Sequence, residues 1–355
     1  MRVLDRYIVL ALARYTALSL GVLLVLMAVF LFVNEQGWVG PGSYGQWQAL
    51  RYVLLQLPAT ALQFLPVAAL LGALLGLGQL ARGSEFTVMR AAGVSIARIA
   101  GSVALAGLAL LPAVAAVAEW VAPPLAQAAR ISRALERDGR ADVVRGTAWM
   151  REGQLLLRAD ASGGVTLFEL EGPRQLAAVA VAGSAQALGD GTWELRELAE
   201  SRFGAGTVTR GPAGPRQLQS AMDGEFLRLS TSEPRQQSFS DLRRATRLLD
   251  ALGQDATAQR FAFWNAMARM AAVPLAMLLA VPLLTGFLRS AEGGARAALG
   301  LVLGLLYFIA QRMVESGTLA FALNPLPLAW LPTVLLAAAV IVLLWRTRRV
   351  AVSAA

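Results

Sequence analysis

The chain has 355 residues, of which 56% are apolar, and a formal net charge of +9. It contains no Cys and no His, and all 32 basic residues are Arg. These absences exclude Ser-His, Cys-His and Ser-Lys nucleophile pairs, zinc sites built on His or Cys, and a Walker A loop, which needs a Lys for the phosphates. We therefore predict no catalytic residues, no metal site and no cofactor.

Six long apolar segments predict six transmembrane helices in two groups of three. A helix needs about 20 residues to cross a hydrocarbon layer of about 30 Å, and only helices or closed barrels satisfy their backbone groups in lipid. The segments are 7–33, 54–80, 98–122, 263–288, 296–315 and 326–345. We predict an α-helical membrane protein with a 3+3 arrangement and an all-β, jellyroll-like domain inserted between the third and fourth spans.

The distribution of Arg predicts the orientation of these spans. Ten Arg residues flank the spans on one side, whereas the short loops on the other side, 34–52 and 316–326, carry Arg51 alone. By the positive-inside rule, both termini are cytoplasmic and the inserted domain is outside. The basic charge therefore reports topology, and we predict no binding of nucleic acid. The ten residues are Arg2, Arg6, Arg82, Arg90, Arg98, Arg289, Arg296, Arg346, Arg348 and Arg349.

The second span contains two prolines and a small-xxx-small spacing. Pro58 and Pro66 predict a kinked helix, and Gly72 and Gly76 predict that a neighbouring helix approaches closely. Ordinary packing and a role in gating both remain open for this span.

The segment that follows the second span predicts a short helix. Ser84 suits its N-cap, Glu85 its first turn and Gly93 its end. Phe86 and Met89 fall on one face, one turn apart. A helix of about nine residues is marginal alone in water. We therefore expect the apolar side chains of Phe86 and Met89 to be buried against another surface. Two interpretations remain open: the helix lies against the bilayer surface, or it is a coupling helix that fits a groove on a cytoplasmic ATPase.

The segment that follows the third span carries a row of arginines. Trp120 marks the outer membrane interface, and a helical stretch then places Arg130, Arg133 and Arg137 on one face. The planar guanidinium binds phosphate in a bidentate manner. This row is therefore either a solvated basic face or a site for an anionic headgroup. Arg312, in the fifth span, is either a functional residue or one that snorkels to the interface.

Residues 145–235 predict an all-β sandwich or jelly roll. Short runs with strand preferences alternate there with Gly- and Pro-rich turns. The free edges of such a sheet can add a strand from another β-protein, although a plain extracytoplasmic cap remains the alternative. The runs are Gln154–Arg158, Val165–Leu170 and Thr192–Leu195.

An amphipathic helix is predicted after the strands. Ser240 suits its N-cap and Gly253 its C-cap. Its apolar face comprises Leu242, Ala245, Leu249 and Leu252.

Taken together, these features resemble the LptF/LptG family of lipopolysaccharide-export permeases, and its LptG branch most. The resemblance covers essentially the whole chain, including the 3+3 layout around a β-domain. It predicts membrane helices with the coupling helix in 1–123, the periplasmic domain in 124–260, and the remaining helices in 261–355. The motifs that carry it are Leu4–Ile8, Pro66–Gly78, Ser84-Glu85, Val88-Met89, Ala92-Gly93 and Glu119–Pro123.

The resemblance implies a non-enzymatic permease subunit of the bacterial inner membrane. Its implied partners are an LptF-like permease in a heterodimer, an LptB-like ATPase dimer, an LptC-like single-span protein and an LptA-like periplasmic bridge. Its implied cargo is lipopolysaccharide. A scaffold that recruits β-domain partners without moving substrate is the alternative, and an intramembrane enzyme using carboxylates alone is a more distant one.

The resemblance also implies roles for particular residues. Glu85 and its neighbours, with Ser84, Phe86, Met89 and Gly93, would form the coupling helix. We predict that the headgroup contacts are Arg130, Arg133, Arg137 and Arg312. Familiar members carry lysines at the outer end of the first span, whereas Leu31–Val39 has no basic residue here. We expect Arg130, Arg133 or Arg312 to compensate for this difference.

Overall fold

The computed structural model describes most of the chain and resolves nine α-helices and seven β-strands within that part. The described residues are 2–40, 42–138, 148–152, 154–159, 165–171, 175–189, 192–204, 207–211, 214–219, 233–251, 253–285, 293–321 and 323–353. The helices are α1 (Arg2–Glu35), α2 (Gln46–Arg82), α3 (Glu85–Ala91), α4 (Ile96–Ala116), α5 (Ala122–Asp138), α6 (Phe239–Ala251), α7 (Thr257–Thr285), α8 (Gly293–Phe321) and α9 (Pro325–Ser353).

Six of these helices are long and apolar enough to cross a membrane, which confirms the predicted spans. They are α1, α2, α4 with its continuation into α5, α7, α8 and α9. The third span was expected to end near residue 122, but it continues through a π-helical turn, Val117–Val121, directly into α5. Pro123 and Pro124 follow this turn, and proline lacks the N–H that an α-helical turn uses. A π-helical turn of this kind is a bulge within an otherwise continuous helix.

The chain divides into two compact units. The first comprises Met1–Leu31, Leu57–Ala122 and Arg260–Ala355, and it holds most of the membrane-spanning residues. The second comprises Phe32–Gln56 and Pro123–Gln259. The second unit therefore contains the β-strands, α5, α6 and the segment that links α1 to α2.

In the first unit, α2 packs against α1 on one side and α8 on another through glycines. A Cβ at Gly72 would overlap the backbone of Thr16 in α1, and a Cβ at Gly76 would lie 3.1 Å from Leu12. A Cβ at Gly300 of α8 would lie 2.8 Å from Leu74. The predicted close approach at the small-xxx-small spacing is confirmed, and its neighbour is α1. The helix α2 runs through both Pro58 and Pro66.

Polar contacts add to this packing within the first unit. Arg98 and Ser102 of α4 both donate to the carboxylate of Asp5 in α1, at 2.5 and 2.6 Å. Arg296 of α8 donates to the backbone carbonyl of Gly78 in α2 at 2.9 Å. These hydrogen bonds join the N-terminal ends of α1 and α8 to neighbouring helices.

The second unit is built on an antiparallel sheet with the strand order β1-β2-β3-β4-β5-β6, in which β7 also pairs with β5. This sheet is consistent with the jellyroll-like domain that was predicted. The strands are β1 (Ala148–Glu152), β2 (Leu155–Ala159), β3 (Val165–Leu170), β4 (Leu176–Gly189), β5 (Thr192–Gly204), β6 (Thr207–Arg210) and β7 (Arg216–Gln219). Leu157 lies opposite Leu167, and Leu167 lies opposite Ala180, so these residues of three neighbouring strands share one buried apolar face.

The helix α6 covers part of this apolar face through Leu249. The predicted amphipathic helix is therefore confirmed, and Gly253 ends it with φ +65°. The predicted N-cap was wrong. Ser238, two residues before Ser240, accepts the hydrogen bond from the backbone N–H of Asp241. Of the predicted apolar face, Leu242, Ala245 and Leu249 are buried, and Leu252 lies outside the described residues.

Candidate functional site

The short helix α3 lies between α2 and α4, where the sequence predicted it. Gly93 has φ +83° and ends the helix, and the N–H of Val94 donates to the carbonyl of Met89 at 3.0 Å. This is the hydrogen bond of a glycine-terminated helix end. Because α3 ends at Gly93, it is a separate short helix and not an extension of α4.

Ser84 occupies the N-cap position of α3 but does not cap it. Its side chain makes no capping hydrogen bond within the described structure, and its φ is +60°. A capping serine adopts extended backbone angles, which direct its hydroxyl toward the N–H groups of the first turn. The left-handed backbone at Ser84 removes that geometry, so the predicted capping role of this residue was wrong.

Glu85, in the first turn of α3, contacts α1. Its carboxylate lies near the hydroxyl of Tyr7 in α1 and interacts with it electrostatically. Val88 is 65% exposed and Met89 is half-buried. The side chain of Phe86 lies outside the described part of the structure, so the predicted pairing of Phe86 with Met89 stays a prediction. The helix therefore presents at least one exposed apolar side chain beside a carboxylate.

Arg133 on α5 is the centre of a polar cluster in the second unit. Its Nη1 donates to both carboxylate oxygens of Glu35, at 3.1 and 3.2 Å. Its guanidinium lies over the rings of Tyr52, 4.8 Å from the centroid, and Trp38, at 5.5 Å. We call Arg133, Glu35, Tyr44, Tyr52 and Trp38 the Arg133 cluster. Within it, Arg133 is an ordered side chain rather than part of a freely solvated face.

Tyr44 supports this cluster from the segment that links α1 to α2. It is almost fully buried, and its hydroxyl donates to Oε1 of Glu35 at 2.9 Å. Burial and, after it, the hydrogen bond to Glu35 raise the pKa of Tyr44 above its usual value. The phenol therefore remains a hydrogen-bond donor across the physiological range, and it holds one oxygen of the carboxylate.

The same linking segment is bonded to α5 at a second point, one turn further along. Both the backbone N–H and the hydroxyl of Ser43 donate to the carbonyl of Glu136, at 2.8 Å each. Arg51 of α2 lies 3.8 Å from the carboxylate of Glu136. The two hydrogen bonds from Ser43 go to the backbone of Glu136, and they fix the position of α5 relative to the linking segment independently of Arg133.

The remaining predicted headgroup residues are distributed over both units. Arg130 lies on α5, one turn before Arg133, and is partly buried. Arg137 also belongs to α5, but its side chain lies outside the described residues. Arg312 belongs to the first unit, where it lies over Phe308 and 3.8 Å from Glu315. The structure thus brings Arg130 and Arg133 together on one helix.

Sequence reasoning did not identify the partners of Arg133. The outer end of α1 was noted only for having no basic residue, yet Glu35 supplies a carboxylate at that place. An acidic residue at the end of an apolar span, where a basic one was expected, was the available signal. Among the described residues, no group of three acidic side chains converges as metal ligands would.

Known proteins of one family match this chain over nearly its whole length. The model of the family described as lipopolysaccharide export system permease LptF/LptG matches residues 6–346. The lipopolysaccharide export system permease protein LptG of Escherichia coli K12 is 30% identical over 340 residues, which cover 93% of this chain and 94% of that protein. The LptG protein of Haemophilus influenzae is 27% identical over 350 residues, covering 96% and 97%. With six spans and an inserted antiparallel sheet in place, the chain belongs to the LptF/LptG family of lipopolysaccharide export system permeases.

Proposed function

We propose that this chain is an LptG-like permease subunit that extracts lipopolysaccharide from the outer leaflet of the bacterial inner membrane. The observation that carries this proposal is the extent of the family match, which runs from residue 6 to residue 346 and so includes both groups of spans and the inserted domain. In this proposal the chain pairs with an LptF-like permease. The β-domain passes the lipid, with an LptC-like protein, to an LptA-like periplasmic bridge.

The physical chemistry of the cargo requires an energy source outside this chain. Each buried CH₂ of a lipid contributes about 0.8 kcal/mol to its retention in the membrane. A glycolipid with several acyl chains is therefore held by tens of kcal/mol, and its spontaneous extraction is too slow to be useful. The chain has no Lys, hence no Walker A loop. We infer that an LptB-like ATPase dimer supplies the energy.

The helix α3 is the proposed point at which this energy enters. It is short, it presents the exposed Val88 beside the carboxylate of Glu85, and it lies between two membrane-spanning helices. A basic residue in a groove of the ATPase would pair with Glu85. Through its electrostatic interaction with Tyr7, Glu85 also connects α3 to α1.

The arginines of α5 are the proposed contacts for the anionic headgroup. Arg130 and Arg133 are neighbours on one helix, and Arg133 is partly exposed. Arg137 and Arg312 are proposed as further contacts. Guanidinium groups bind phosphate through paired hydrogen bonds, which favours phosphorylated sugar headgroups over neutral ones.

Substitution of Glu85 by Lys tests this function. The chain is co-expressed with the partner permease and the ATPase, and the complex is reconstituted in vesicles that contain lipopolysaccharide. We expect Glu85→Lys to abolish ATP-dependent release of the lipid and the stimulation of ATP hydrolysis, because it places like charges at the interface. Release is measured as transfer to a soluble periplasmic acceptor.

Glu171→Lys is the matched control, since it reverses an exposed charge in the second unit. It should leave release unchanged, and both variants should yield the complex in normal amounts. Full release by Glu85→Lys would refute the coupling role of α3. The absence of ATP-dependent release from the unsubstituted complex would instead favour the scaffold.

A further inference from the structure

The carboxylate of Glu35 lies beneath Arg133. The side chain of Glu35 is 6% exposed, whereas that of Arg133 is 30% exposed. A molecule that approaches from solvent therefore reaches the guanidinium before it reaches the carboxylate. A buried carboxylate is stable only when it is paired or hydrogen-bonded, and Glu35 has both Arg133 and Tyr44 as partners.

The contact with Glu35 uses only one nitrogen of the guanidinium. Within the described structure, both hydrogen bonds that Arg133 donates come from Nη1. A guanidinium carries five N–H groups arranged as a planar fork. Nη2 and Nε together form a second edge of that fork, and this edge has the geometry for two parallel hydrogen bonds to a phosphate.

The orientation of this second edge is restrained by the rest of the cluster. The rings of Tyr52 and Trp38 lie at the face of the guanidinium, and stacking on aromatic rings limits its rotation. Tyr44 holds the carboxylate to which Nη1 is bonded. The side chain is thus ordered before any ligand binds, which reduces the entropy lost on binding.

We propose that Glu35 is a positioning residue that, supported by Tyr44, orients Arg133 to bind a phosphate of the glycolipid headgroup through Nη2 and Nε. This inference rests on the proposed function, in which Arg133 contacts the headgroup. Glu35 also balances the charge of Arg133. The anion is therefore bound through the geometry of the guanidinium rather than by a strong excess of positive charge. This favours release of the lipid, which a carrier also requires.

The test uses the complex of this chain with its partner permease and ATPase, reconstituted with increasing amounts of lipopolysaccharide in the vesicles. Two quantities are measured: the lipopolysaccharide content that gives half-maximal release, and the maximal rate. We expect Glu35→Ala to raise the half-maximal content about three- to tenfold, the effect of losing about one hydrogen bond, with little change in maximal rate. Tyr44→Phe, which alters no charge, should raise it less.

Dephosphorylated lipopolysaccharide provides a readout that a merely structural role would not affect. With this substrate, Glu35→Ala and Tyr44→Phe should leave the half-maximal content unchanged, because the phosphate that Arg133 binds is missing. An equal increase for both substrates would mean that Glu35 only maintains the fold, and this result would overturn the proposal.

The matched control is Glu136→Ala, which removes a negative charge from α5 one turn beyond Arg133. It should leave the half-maximal content unchanged, and an increase as large as that of Glu35→Ala would overturn the proposal in favour of a general charge effect.

A lower half-maximal content for Glu35→Ala would show that Glu35 competes with the lipid for Arg133, which also overturns the proposal. If Glu35→Ala does not assemble, Tyr44→Phe alone decides: no increase with the phosphorylated lipid refutes the proposal.

Arg133→Ala separates this inference from the proposed function. If it leaves the half-maximal content unchanged for both substrates, the headgroup role of Arg133 is wrong and the inference fails with it. If Arg133→Ala raises the content while Glu35→Ala and Tyr44→Phe do not, Arg133 binds the headgroup and only the positioning by Glu35 is refuted.

Discussion

Gly72 lies where α2 and α1 are in contact, and its missing side chain is what permits that contact. A Cβ at this position would overlap three atoms of Thr16, two of them in the backbone. Backbone atoms cannot move aside as the end of a flexible side chain can. Close approach at small residues is a main source of helix association in membranes, where lipid tails are as apolar as the helices themselves.

We predict that Gly72→Ala destabilises the first unit. The overlap with Thr16 forces α1 and α2 apart, and over-packing of this kind costs about 1–3 kcal/mol. The measurement is the thermal unfolding of the purified chain in detergent. Gly21→Ala in α1 is the matched control, because a Cβ there would meet nothing within 4 Å. Equal midpoints for the two variants would contradict the contact.

The arginines of α5 and the partners of Arg133 differ in how far the sequence could predict them. Arg130, Arg133 and Arg137 follow a helical spacing, which can be recognised in one segment. Glu35 is separated from Arg133 by 98 positions in the chain, so no local pattern connects them. The capping role of Ser84 was wrong for a related reason. Its backbone conformation is left-handed, and residue type alone does not specify that conformation.

At the scale of elements, a chain of hydrogen bonds crosses three membrane-spanning helices. Gln311 of α8 donates to the hydroxyl of Tyr307 on the same helix at 2.8 Å. Thr333 of α9 donates to the carbonyl of Ala268 in α7 at 3.1 Å. The hydroxyls of Tyr307 and Thr333 are 3.1 Å apart. Because the Thr333 proton is already used, Tyr307 must be the donor between them, so the chain has one direction.

We predict that Thr333→Val loosens the contact among α7, α8 and α9. Hydrogen bonds between membrane helices contribute about 0.6 kcal/mol on average and up to about 1.7 kcal/mol. We therefore expect Thr333→Val to lower the free energy of unfolding by an amount within that range. Thermal unfolding in detergent provides the measurement.

Thr318→Val serves as the comparison for this prediction, since Thr318 is fully buried and, within the described structure, its hydroxyl donates to the carbonyl of Val314 in its own helix rather than to another helix. A larger loss in Thr318→Val than in Thr333→Val would argue against a linking role for the chain of hydrogen bonds.

The elements themselves were largely predictable, because their signals are local. Apolar length predicts a span, and β-propensity between turn residues predicted the strands that became β2, β3 and β5. The continuous passage from α4 into α5 was not predicted. Pro123 and Pro124 favour a break, and only the structure shows the π-helical turn that precedes them. The order of the strands depends on contacts between distant segments, which the same local signals do not contain.

At the scale of the whole molecule, the absence of Cys allows the orientation to be measured with single introduced thiols. We predict that Thr209→Cys, on the exposed strand β6, reacts with a membrane-impermeant reagent in cells whose outer membrane alone has been permeabilised. Val3→Cys and Arg346→Cys should react only after the inner membrane is opened, because the positive-inside rule predicts that both termini are cytoplasmic. Labelling of either terminus in intact inner membranes would contradict the proposed orientation and the position of α3.

The contact at Gly72 also limits where a lipid can travel. Because the backbone of α1 contacts α2 at this level, an acyl chain cannot pass between these two helices unless they separate. Leu18, Val22, Val25 and Val29 are exposed on the remaining surface of α1. In the proposed function, an acyl chain that enters from the side would therefore move along that surface, and the paired helices α1 and α2 would form one wall of its path.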